Sequence, residues 1–175
     1  LKAHITFTVT APSRWAVVSN SPTPQPVAGP VTSSGIETST WHFAPTRIIS
    51  SYITAIIAGP YESVHSELTS RDGRVIPLGI YVRSSLAQYL DSDYIFEKTR
   101  QGFAYYEEKF DFADPFEKYD QLFVPEFNAG AMENAGAITF TETYVFRSKV
   151  TDAIKERRVV TILHELAHMW FGDLV

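Results

Sequence analysis

Period-two alternation opens the chain: Ile5, Phe7, Val9 and Ala11 face one way, and His4, Thr6, Thr8 and Thr10 the other. That is the pattern of a half-buried strand. Trp15 to Ser19 reads as a second short strand, and the proline-rich run at residues 21–26 cannot pair inside a sheet. Further strands are predicted near Ile36 to Phe43, Tyr52 to Ala58 and Tyr61 to Glu67, and Asp72-Gly73 marks a hairpin turn into Val75 to Arg83. Short strands at this spacing point to a β-sandwich or saddle-like sheet. Near Ser84 the period changes. Ile95, Phe96, Phe103, Tyr106 and Phe110 follow helical spacing, with Asp91 or Ser92 as N-cap. Leu122 to Val124 and Ala137 to Phe140 then read as strands joined by the loop at residues 125–136, with Thr143 to Phe146 extending the second. A final helix runs from Thr151 or Asp152 to about Phe171, with Lys155, Glu156, Arg157 and Arg158 in its solvated first half. The chain is thus expected to be α+β. An antiparallel β-rich domain occupies residues 1–85, and the beginning of an α/β domain occupies residues 86–175.

Composition narrows the function classes. Hydrophobic residues make up 45% of the chain, enough for a real core. The net charge of −5 is spread along the sequence, with no basic stripe for nucleic acid and no polybasic face for a membrane surface. With no cysteine there is neither a disulfide framework nor a thiolate ligand, which favours a reducing compartment; a cytoplasmic location is the expectation. No apolar stretch approaches the ~18 to 20 residues of a membrane span. The chain starts at Leu1 inside a strand pattern and stops at Val175 without a polar tail, so a piece of a longer protein is expected.

The strongest chemical signal is His164-Glu165-Leu166-Ala167-His168. Two histidines four apart lie about one turn apart on one helix face, so both imidazoles can reach a single metal ion. Glu165 projects beside that face, where it can act on water without being a ligand. From Val159 to Phe171 the surrounding residues are apolar on all sides, and burying two histidines and a glutamate there without compensation would cost several kcal/mol. A helix with hydrogen-bonded core histidines is the bland alternative. His4, His42 and His65 have no ligand-spaced partner and read as surface or sheet-face residues.

Gly130-Ala131-Met132-Glu133-Asn134 precedes this helix by about thirty residues. Its two small residues let a backbone lie close to a bound chain, and Glu133 supplies a carboxylate at a strand edge. Taken alone it would be a solvated turn. Together the two motifs resemble the aminopeptidase N family, the zinc-dependent gluzincin aminopeptidases. Phe123 to Phe127, Ile138 to Phe140, Met169 to Val175 and Val18-Ser19-Asn20 resemble it as well, and the absence of cysteine is closest to its bacterial members.

The resemblance implies the end of a saddle-shaped β-domain followed by the start of a thermolysin-like catalytic domain. It implies that His164 and His168 ligate one zinc ion, and that Glu165 accepts a proton from the attacking water and returns it to the leaving amine. Glu133 would bind the free α-ammonium group of a peptide substrate, and Gly130 and Ala131, with Met132 beside them, would hold its backbone. Asn134 would belong to the same substrate-binding loop, with no separate role of its own. The third zinc ligand, a glutamate about nineteen residues beyond His168, would fall past Val175. The isolated piece is therefore expected to bind zinc weakly and turn over little. Its apolar last helix could self-associate. Two other readings stay open: a β-domain interaction module that merely retains the motif, and a zinc endopeptidase, which needs no ammonium anchor.

Overall fold

The computed structural model describes residues 1–175. The first third holds β1 (Lys2–Ala3), β2 (Thr8–Pro12), β3 (Ala16–Ser19), β4 (Val27–Val31), β5 (Glu37–His42), β6 (Ile49–Ser50) and β7 (Ile56–Gly59). The remainder holds β8 (Tyr61–Thr69), β9 (Val75–Arg83), α1 (Ser92–Phe110), β10 (Tyr119–Val124), β11 (Ala131–Met132), β12 (Ala137–Thr141) and α2 (Asp152–His168). The architecture is α+β and rich in antiparallel pairing.

A five-stranded mixed sheet in the order β11-β12-β10-β9-β8 carries the core. β10 runs parallel to both of its neighbours, while β8 and β11 are antiparallel to theirs. The two helices cover one face. There Leu78 and Ile80 of β9, Phe123 of β10 and Phe140 of β12 share a core with Phe103 of α1 and Leu166 of α2. Each such side chain contributes about 1.5–3 kcal/mol when fully buried. On the opposite face Tyr81, Leu122 and Ala137 meet Val18 of β3 and the half-buried Ile57 of β7. The β3–β7 ribbon is therefore a lid on the back of the same sheet. A separate antiparallel sheet, β2-β5-β4, has its own small core around Trp41 and Phe43.

The change from period two to helical spacing near Ser84 is a strand-to-helix step within one layered unit. β9 and α1, on either side of residues 85 and 86, share one hydrophobic core, and β9 pairs directly with β10. Other expectations differ in detail. The strand expected over residues 52–58 is interrupted by a tight turn at Ser51–Ile53, so only Ile56 onward pairs. Residues 142–144 form another tight turn instead of extending β12, with the Glu142 carboxylate accepting from Arg83 Nε and Nη2, both at 2.6 Å. β4 escapes the sequence pattern because Gly29-Pro30 interrupts it; a register shift sits there, on a sheet edge where proline is tolerated.

Arg158 departs most from expectation. Lys155, Glu156 and Arg157 are exposed, but Arg158 is 1% exposed and forms a bidentate pair with Asp91 at 2.7 and 2.6 Å. Its guanidinium also lies 4.6 Å from the centre of the Phe146 ring. The pair ties the first half of α2 to the start of α1.

Candidate active site

α2 brings the first half of the site together. Its residues Ile162 and Leu166 are buried against the sheet, which leaves His164 exposed and His168 half-buried on an adjoining face. The two Nε2 atoms approach to 3.2 Å. Two nitrogens each ~2.05 Å from one tetrahedral zinc ion would stand ~3.3 Å apart, so the donor pair fits a shared ion. His168 Nδ1 lies 2.9 Å from the Phe171 carbonyl. As donor to that oxygen, Nδ1 carries the proton and leaves the Nε2 lone pair free for a metal, the usual outer support of a ligating imidazole.

That contact depends on how the helix ends. α2 stops at His168, and Gly172 adopts φ 123°, where an added Cβ would lie 3.1 Å from His168 Nδ1. Glycine thus lets the chain double back over the imidazole. The next residue, Asp173, is 1% exposed, and its N–H donates to the His168 carbonyl at 3.0 Å.

The loop supplies the second half. Ala131–Met132 form β11, the edge strand of the main sheet, with Ala131 opposite Phe140 and Met132 opposite Thr139. The Thr141 N–H closes the turn onto the Gly130 carbonyl at 3.0 Å. Glu133 follows directly. One carboxylate oxygen of Glu133, one of Glu165 and a ring nitrogen of His168 lie within 4.8 Å of one another. His164 stands outside this trio and meets it through His168. Asn134 is buried, its amide donating to Thr139 Oγ1 at 3.2 Å.

Electrostatics follow from burial. Glu165 is 5% exposed, and burial pushes its carboxyl up to about 7; neighbouring His168 opposes the shift and Glu133 adds to it. One Glu165 oxygen has no hydrogen-bond partner. A carboxyl balanced near neutrality can take up a proton and give it back, as a general base requires. Asp173 is pushed up to about 8, first by burial and then by Glu133 and Glu165. Glu133, Glu165 and Asp173 are thus within electrostatic reach of one another, an arrangement of carboxyl groups that favours a cation.

His4, His42 and His65 are exposed and stand apart from this site. Two contributors escape a reading of the sequence. Tyr52, in the 51–53 turn, places its hydroxyl 3.4 Å from the Gly172 carbonyl, and Glu133 and Asp173 both act on it electrostatically. Asn20 reaches the loop from just beyond β3, and its one sequence signal is its place in Val18-Ser19-Asn20.

Residues 94–175 match the peptidase family M1 domain. The whole chain is 64% identical to aminopeptidase N of Streptomyces lividans, spanning 19% of that protein. It is 34% identical over its full length to aminopeptidase Ey of Gallus gallus, spanning 18% of it. It is also 34% identical to aminopeptidase N of Lactobacillus helveticus over 77% of the chain, spanning 16% of that relative. The chain thus covers about a fifth of these relatives' length. With the M1 match over α1 to α2 and the end-to-end similarity to a bacterial aminopeptidase N, the chain belongs to peptidase family M1.

Proposed function

We propose that this chain supplies the zinc-binding helix and the amine-recognition loop of an aminopeptidase that removes single residues from the N-terminus of peptides. The observation that carries the reading is the 4.8 Å grouping of Glu133 with Glu165 and His168. In a peptide the α-nitrogen and the carbonyl carbon of the same residue are only ~2.5 Å apart, and each added residue moves the carbonyl on by ~3.8 Å. An ammonium held by Glu133 therefore leaves room for one residue before the bond beside Glu165. An endopeptidase gains nothing from a carboxylate at that distance.

Zinc held by His164 and His168 would act as a Lewis acid on the scissile carbonyl and acidify water. Glu165 would take the proton of the attacking water and deliver it to the departing amine. Glu133 would pair with the α-ammonium, a charge-assisted contact stronger than a neutral hydrogen bond. The free side of β11 at Gly130 and Ala131 would align the substrate as an added strand. We place the division between β-domain and catalytic domain before β8, since β8 and β9 belong to the sheet that carries β11.

The test is product analysis by mass spectrometry on the full-length protein, using one peptide with its N-terminus free and acetylated. Stepwise loss of single residues from the free peptide alone is expected. Internal cleavage of the acetylated peptide would restore the endopeptidase reading. Cleavage of neither would restore the interaction module.

A further inference from the structure

Glu133 works only if its loop is held still, and the root of that loop is clamped from an unexpected direction. Asn20 leaves the end of β3, in the ribbon behind the main sheet, and is buried. Its amide nitrogen donates to the Ala135 carbonyl and to the Ile53 carbonyl, both at 2.9 Å. Its oxygen accepts from the Ala55 N–H at 3.0 Å. Ala135 N–H in turn donates to Ile53 O at 3.2 Å. Both amide protons and the oxygen of Asn20 are thus used on backbone groups, two of them belonging to the 51–53 turn and its exit, the third lying two residues past Glu133.

The next residue is clamped as well. Lys118 Nζ donates to the Gly136 carbonyl and to Asp120 Oδ2, both at 2.7 Å, with both side chains buried. Gly136 adopts φ 69°, and an added Cβ would lie 3.1 Å from the Asn20 carbonyl and 3.2 Å from the Lys118 carbonyl. A side chain there would be strained by the left-handed backbone and crowded by both carbonyls.

We infer that Asn20 is a positioning residue for amine recognition: it fixes the Ala135–Gly136 root so that the Glu133 carboxylate stays beside Glu165 and His168, with the Lys118–Asp120 pair as a second clamp. Such a residue touches neither substrate nor metal. A misplacement of ~1 Å at a reacting group can cost ~100-fold, so the clamp bears directly on recognition.

The inference rests on the proposed aminopeptidase reading, and the test separates the two. In the zinc-loaded full-length protein, affinities are measured for an amino-acid hydroxamate and for its des-amino analogue, which binds the metal but lacks the α-ammonium. If the unaltered protein shows no preference for the amino form, the aminopeptidase reading fails. Given a preference, Glu133→Ala should reduce the affinity ratio by roughly 10- to 100-fold. Asn20→Ala should reduce it by about tenfold, with des-amino affinity and zinc content within about twofold of the unaltered protein. A purely structural role predicts a lower melting temperature with the ratio unchanged, and that result overturns the inference. Equal weakening of both hydroxamates overturns it too, by placing the damage at the metal. Lys118→Met with Asp120→Asn, which removes both buried charges together, is read the same way if Asn20→Ala does not fold.

Discussion

The two halves of the site are held in place by different means. His164, Glu165 and His168 take their relative positions from one helix: spacing of four residues brings the imidazoles to 3.2 Å, and the sheet beneath supplies only a floor. Glu133 takes its position from residues far away in the chain. Asn20 lies 115 residues before Ala135, and Lys118 reaches Gly136 across 18. One helix can thus assemble His164, Glu165 and His168 locally, while placing the Glu133 carboxylate, the proposed amine anchor, beside them needs the whole fold.

This contrast can be broken at either half. The largest effect is expected from Glu165→Gln, which keeps the shape of the side chain and removes the proton acceptor. Turnover should fall by roughly 100- to 10,000-fold, the range of general acid–base catalysis, while zinc content by metal analysis stays near that of the unaltered protein. Retained turnover would assign the proton transfer elsewhere. A smaller effect is expected from Gly136→Ala. Its left-handed backbone and two carbonyls near the new methyl should cost roughly 1–3 kcal/mol in denaturant unfolding, without altering the His164–His168 donor pair. Loss of zinc from that variant would show that the loop and the helix are not independent.

The same contrast explains which parts of the molecule are legible in its sequence. α1 and α2 are legible because their apolar residues repeat at helical spacing, and the segment from His164 to His168 because its chemistry is written into one turn of one helix. The Gly130 to Asn134 loop is legible only through resemblance, since nothing local distinguishes Glu133 from a solvated carboxylate. Arg158 looks like part of a charged run because its partner Asp91 is 67 residues away. The clamp at Asn20 is hidden for the same reason: hydrogen bonds to backbone carbonyls leave no mark on the residues that accept them. Near Ser84 the change of period marks a new element, and it carries no information about the sheet, which continues from β9 to its neighbour β10 across the whole of α1.

In the proposed reading Glu133 recognises the free amine of the substrate beside Glu165. That recognition is tested most directly by kcat/KM of Glu133→Ala in the full-length, zinc-loaded protein on an aminoacyl-amide substrate. A fall of roughly 10- to 100-fold with zinc content unchanged is expected. An unchanged kcat/KM would contradict it.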